Sequence, residues 1–214
     1  ISPFELTSRL IALADESIRK MMHTMLNAGR GNPNWVATLP REAFFALGKF
    51  GISECRRDWQ RAEGIAGIPQ KEGIAERFEQ FIRENRKEEW PQFLEKRYRY
   101  MLDEHKVNAD ELIHEWAEGV MGNQYPVPDR ILRHTEIAIR DYIAQELCDG
   151  RPPQGEIDLF ATEGGTAAMC YIFDSLQQNR LLERGDQIAL MTPVFTPYIE
   201  IPKLYSYNYK VTEI

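Results

Sequence analysis

The chain has 214 residues, 43% of them hydrophobic, with 26 Lys and Arg against 33 Asp and Glu and a net charge of −7. That is enough to bury the core of one ordinary domain or slightly more. The acidic balance disfavours nucleic-acid binding, and no apolar run approaches membrane-spanning length. The three cysteines, Cys55, Cys148 and Cys170, are odd in number, scattered, and without Cys-x-x-Cys spacing, so they make no disulfide framework. The opening residues Ile1 to Glu5 lack the basic start and apolar run of a signal peptide. A reducing cytoplasm is the expected setting.

The first half predicts helix almost throughout. Ser2-Pro3-Phe4-Glu5 reads as a capping box, with Ser2 as N-cap and Pro3 at the first helical position. Leu6, Leu10, Leu13, Ile18, Met21, Met22 and Met25 then recur at near-helical spacing. Residues 27–35, N-A-G-R-G-N-P-N-W, break that helix. Pro40 opens a second one through Phe44, Phe45 and Leu47. From Lys71 to Gly119 the chain is charge-rich and helical, with stripes at Phe78, Phe81 and Ile82 and at Phe93, Leu94, Tyr98, Met101 and Leu102. Asn108 is the expected N-cap of a helix carrying Leu112, Ile113, Trp116 and Val120. The charges of this block read as solvated faces and intersubunit contacts.

Residues 122–128 form a loop, and a helix is expected from Pro128 or Asp129 to Leu147. Residues 151–155 form a second loop, and the pattern then changes. Ile157 to Ala161 reads as a buried strand, Thr166 to Leu182 as a helix, and Ile188 to Met191 as a strand. Tyr198 to Leu204 reads as a short helix interrupted by Pro202, and Tyr207 to Val211 as a further strand. Strand–helix–strand at this spacing argues for a parallel α/β sheet.

Four segments could carry chemistry. Glu163-Gly164-Gly165-Thr166 joins an apolar run to a helix. Unpaired N–H groups at a helix start, unblocked by side chains, can bind a phosphate, and Thr166 adds a hydroxyl. The same residues also suit a plain tight turn. They form neither a G-x-G-x-x-G fingerprint nor a Walker motif. Phe195 lies just beyond the strand Ile188 to Met191, where α/β sheets place ligands, and its ring could stack on a flat cofactor or simply fill a core. Tyr125 stands in a loop from which its hydroxyl could reach a phosphate, or pack. Arg30 and Gly31 combine a fork suited to carboxylates with a backbone open to close approach, or form a flexible turn. His23, His105, His114 and His134 lie far apart and suggest no metal site. Cys170, among apolar residues, reads as core.

In this order, Gly31-Asn32-Pro33, Tyr125-Pro126, Gly164-Gly165-Thr166 and Pro193-Val194-Phe195, the chain resembles the fold-type I pyridoxal-phosphate enzymes. The run A-T-E-G-G-T-A-A-M-C-Y-I-F-D-S-L, with N-A-G-R-G-N-P-N-W and the helical insertion between them, is similar within that family to the aspartate 4-decarboxylases. The resemblance implies an α/β protein of the pyridoxal-phosphate-dependent transferase fold, aspartate aminotransferase-like. Here it would comprise the N-terminal helical part plus the start of the large-domain sheet. The expected divisions are 1–50 as a substrate-side segment, 51–120 as a helical insertion and 121–214 as the incomplete cofactor-binding domain.

The same resemblance implies roles. Gly164, Gly165 and Thr166 would hold the phosphate of pyridoxal 5'-phosphate, and Phe195 would stack on its ring. Tyr125 would reach the phosphate bound to a neighbouring subunit, and Arg30 with Gly31 would meet a substrate carboxylate. The implied reaction is β-decarboxylation of L-aspartate to L-alanine and carbon dioxide, with transamination on the side, in a homodimer or larger homo-oligomer. No nucleic acid or membrane partner and no metal are expected. Lys203 and Lys210 do not sit in the family's lysine motif, so this stretch by itself is expected to be inactive. An ordinary aminotransferase shares every motif, and a non-catalytic assembly module is the reading from another class.

Overall fold

The structure, a computed structural model, describes residues 3–19, 35–60, 63–123 and 129–214. It divides into two compact units, Trp35–Ala161 and Thr162–Ile214 together with Ile1–Asn34. Helix α1 runs Pro3–Arg19. Its stripe Leu6, Leu10 and Leu13 is more than half exposed. The expected cap Ser2 lies outside the described residues.

Trp35–Ala161 is helical. It contains α2 (Thr38–Asp58), α3 (Ile74–Glu84), α4 (Trp90–Asp103), α5 (Ala109–Met121) and α6 (Arg133–Glu146). The inner faces of α3, α4 and α5 are the predicted stripes. Phe78, Ile82, Leu94, Tyr98, Met101, Leu112 and Ile113 are all buried there, beside Phe50 of α2. Phe78 is fully enclosed. It lies edge-on to Phe50 at 5.4 Å, to Tyr98 at 5.6 Å and to Trp116 at 6.1 Å. Such pairs add roughly 0.5–1.5 kcal/mol beyond their burial.

Polar groups tie these helices together. The Asn108 side chain accepts from the Glu111 N–H at 3.0 Å, the predicted cap, and Gly122 ends α5 at φ 73°. Asp110, in the first turn of α5, also caps α3 by accepting from the N–H groups of Gly73 at 3.0 Å and Ala75 at 2.9 Å. Glu54 is 2% exposed and accepts from Arg77 Nε at 2.7 Å and Arg57 Nε at 3.1 Å. Glu54, which precedes the charge-rich block, can be buried because two guanidiniums neutralise it, one of them Arg77 from within the block.

Helix α6 starts later than expected. The His134 N–H donates to both carboxylate oxygens of Glu115 on α5, at 3.0 and 3.2 Å, and its imidazole Nδ1 meets the same group at 2.9 Å. That anchor fixes the first turn of α6, so residues 129–132 approach as non-helical chain. His134 is thus a buried packing residue. The expected strand Ile157 to Ala161 is not formed. Its exposure alternates in a strand-like way up to Phe160, but no described strand pairs with it. The Ala161 N–H donates instead to the Arg130 carbonyl at 3.0 Å, in the non-helical chain before α6.

Burial pushes the Tyr98 phenol up to about 12, and the Glu79 carboxylate, which accepts its hydroxyl at 3.1 Å, pushes in the same direction. The unfolded chain loses that proton near pH 10. The stabilisation is therefore complete below about pH 10 and is lost as pH rises towards 12, on the order of 2 kcal/mol in all. Tyr98→Phe should flatten the fall in urea stability across that window. An unchanged slope would contradict the assignment.

From Thr162 onward the second unit holds α7 (Gly165–Gln178), β1 (Gln187–Leu190), α8 (Thr196–Glu200), a 3-10 turn (Ile201–Lys203) and β2 (Lys210–Glu213). The strands pair in parallel, Gln187 opposite Lys210 through Leu190 opposite Glu213. The crossover that a parallel pair demands is supplied by α8 and the 3-10 turn. Pro202 lies in that turn, where its missing N–H does not interrupt an α-helical ladder. Phe173, Ile201, Tyr207 and Tyr209 form the local core, with Cys170 packed beside them as expected. The architecture is thus helix-rich α/β with a small parallel sheet.

Candidate functional site

Two consecutive glycines open α7, the first set by its backbone angle and the second facing the tip of Tyr198. Gly164, the N-cap, has φ 101° and ψ 173°. That conformation is open essentially to glycine alone. Gly165 has an ordinary φ, but a Cβ there would lie 2.7 Å from the Tyr198 hydroxyl oxygen. The turn is steadied by the Thr162 hydroxyl, which donates to the Gly164 carbonyl at 3.2 Å. The same carbonyl accepts the first intrahelical bond, from the Ala168 N–H at 3.0 Å.

The N–H groups of Gly165, Thr166 and Ala167 precede that bond, and no side chain caps the helix. They present donors and the positive end of the helix dipole to an anion. Thr166 is exposed beside them. Glu163, the nearest acid in sequence, accepts from the Tyr171 hydroxyl at 3.1 Å, and that bond raises the Tyr171 pKa.

The second component comes from the carboxyl end of β1. The Thr192 N–H donates to the Ile214 carbonyl at 2.9 Å, extending the β1–β2 pairing by one bond. The chain then turns through a cis Thr192–Pro193 peptide to Phe195, the N-cap of α8. Phe195 is 54% exposed, so its ring is open to a ligand rather than spent on the core. Tyr198, one turn on, meets that ring edge-on at 5.9 Å and 89°. Tyr198 therefore touches both components, Phe195 by its ring and Gly165 by its hydroxyl.

The fold thus brings Gly164, Gly165, Thr166 and Phe195 into one neighbourhood through Tyr198. Sequence reading placed Tyr198 merely at the start of a short helix. Its signal was the Phe-x-x-Tyr spacing, which sets two rings on one face of a helical turn. Arg30, Gly31 and Tyr125 lie outside the described residues. Among the described residues no group of three or more His, Cys, Asp or Glu is placed to hold a metal ion, and no helix is long and apolar enough to cross a membrane.

The described residues thus offer unpaired N–H donors at a helix start and an exposed aromatic ring, both next to Tyr198. A phosphorylated, flat, aromatic ligand fits that combination. No protein-family model matches the chain. The chain is 46% identical, over 215 aligned positions, to the bifunctional aspartate aminotransferase and L-aspartate beta-decarboxylase of a Pseudomonas species. The match covers 100% of this chain and 40% of that relative, so the chain spans about two fifths of the length of the curated protein it matches.

Proposed function

We propose that this chain, kin along its whole length to that bifunctional aspartate enzyme, is part of a longer pyridoxal-phosphate enzyme of the aspartate aminotransferase fold, fold type I. The reaction assigned to the longer protein is β-decarboxylation of L-aspartate to L-alanine and carbon dioxide, with transamination of aspartate as a side activity. The observation that carries the reading is the double-glycine start of α7 beside the exposed Phe195 ring, in a chain 46% identical to such an enzyme. In this reading 1–50 is the substrate-side segment, 51–120 a helical insertion, and 121–214 the beginning of the cofactor-binding domain.

Pyridoxal phosphate, when bound, supplies an electron sink for the amino-acid carbon that loses a proton. The chain's own residues bind and orient. The N–H groups at Gly165 and Thr166, with the Thr166 hydroxyl, would hold the phosphate at the helix start. Gly164 permits the backbone angle that aims those groups outward. Phe195, with its ring exposed, would stack on the cofactor's ring and shield it from water. Tyr125 is assigned to the phosphate site of a neighbouring subunit in a homodimer or larger homo-oligomer. Arg30, with Gly31 giving backbone clearance, is assigned to one carboxylate of L-aspartate through a two-pronged guanidinium contact. The lysine that handles the substrate proton is assigned to the remainder of the longer protein.

Phe195→Ala tests the site in the full-length product of the gene. Losing one stacked aromatic contact should weaken retention of pyridoxal phosphate by about tenfold. The measurement is the cofactor's dissociation constant, followed by its visible absorption band. An unchanged constant with an unchanged band removes Phe195 from the site.

A further inference from the structure

Tyr198 stands between the two halves of the cofactor site. Its ring meets Phe195 edge-on at 5.9 Å and 89°, and its backbone N–H donates to the Phe195 carbonyl at 2.9 Å, closing the turn that carries both rings. On its other side the phenol oxygen lies 2.7 Å, and ring carbon Cζ 3.7 Å, from where a Cβ on Gly165 would be. The side chain thus spans from the aromatic face to the first residue of α7. Tyr198 is half-buried there, against the Phe195 ring on one side and facing Gly165 on the other.

We propose that Tyr198 is a positioning residue for the cofactor site, a strut that sets the Phe195 ring against the helix start that receives the phosphate. The proposal rests on the pyridoxal-phosphate reading above and adds to it the residue that couples the two contacts. Tyr198 acts through Phe195 and Gly165 and need not touch the cofactor. The geometry also gives Gly165 a second reason to be glycine: any larger residue would collide with the phenol oxygen. Of the Tyr198 atoms near that point, the hydroxyl alone is closer than ordinary van der Waals contact.

The test uses the full-length product of the gene, reconstituted with pyridoxal phosphate. Four variants are compared with the unaltered protein: Tyr198→Ala, Tyr198→Phe, Gly165→Ala, and Gly165→Ala with Tyr198→Phe. The readouts are the dissociation constant for pyridoxal phosphate and the visible circular-dichroism band that reports how the bound ring is seated.

Tyr198→Ala should weaken binding by about tenfold, the equivalent of one lost edge-to-face contact, and alter that band. Tyr198→Phe keeps the ring contact and should stay within about threefold of the unaltered protein with the band unchanged. Gly165→Ala should weaken binding by about tenfold or more, and adding Tyr198→Phe should recover most of the loss, since the collision then relaxes to a contact of ordinary length.

Unaltered affinity and band in Tyr198→Ala overturn the proposal, and so does a double variant no better than Gly165→Ala. Should Tyr198→Ala fail to fold, the Gly165→Ala pair decides alone. A full-length protein that takes up no pyridoxal phosphate overturns the functional reading and the proposal with it. A protein that binds the cofactor normally but ignores every change at Tyr198 overturns the proposal only.

Discussion

Phe78→Ala is expected to destabilise the helical unit by about 3–5 kcal/mol, the range for emptying an aromatic core position. Phe78 is 0% exposed and sits where α2, α3, α4 and α5 converge. Three aromatic rings surround it at 5.4 to 6.1 Å, from Phe50, Tyr98 and Trp116. Truncation removes the transfer free energy of the ring and leaves a void that four packed helices cannot close by a rotamer change. Phe44 provides the control. It lies on α2 but is 57% exposed, so Phe44→Ala should change stability by about 0.5 kcal/mol or less. Urea unfolding followed by far-ultraviolet circular dichroism measures both. A Phe78→Ala loss below about 1 kcal/mol would mean the helices do not pack around this residue.

Gly164→Ala should weaken pyridoxal-phosphate binding in the full-length protein by about tenfold or more. The cause is the backbone. At φ 101° and ψ 173° an alanine Cβ is strained however much room surrounds it, and no atom lies within 4 Å of that Cβ position. The turn must therefore relax its angles, which re-aims the N–H groups of Gly165 and Thr166 that the proposed function assigns to the phosphate. Gly64 separates strain from site. It also has positive φ, 78°, with open space around it, but belongs to the helical unit, not to the unit that carries α7. Gly64→Ala should cost some stability and leave the cofactor's dissociation constant unchanged. Equal effects of the two substitutions on that constant would place the loss in general destabilisation rather than in the cradle.

Much of this architecture is legible from residue periodicity alone. The stripes on α3, α4 and α5 announce their buried faces because a 3.6-residue repeat needs no knowledge of the partner helix. Asn108 is readable as a cap because capping chemistry is local. The α7–β1 unit and the parallel strand after it also emerge within a few residues of their observed bounds.

Less legible are features set by distant partners. Glu54 looks like one more surface charge until Arg77, 23 residues on, closes over it. The start of α6 depends on Glu115, 19 residues earlier. Ile157 to Ala161 has a strand's composition, but composition cannot supply a neighbouring strand. At the site, the two glycines and Phe195 are recognisable in sequence, whereas the contact of Tyr198 with Gly165, 33 positions apart, exists only in the fold.

On the proposed function, the longer protein that contains this chain decarboxylates L-aspartate at its β-carbon. The deciding assay takes the full-length gene product, pyridoxal phosphate and L-aspartate, with no keto acid present, and follows the reaction by proton NMR. Many turnovers of L-alanine per enzyme are the predicted result. A single stoichiometric burst of oxaloacetate followed by arrest would show a plain aminotransferase without an amino acceptor, and unchanged aspartate would contradict the account altogether.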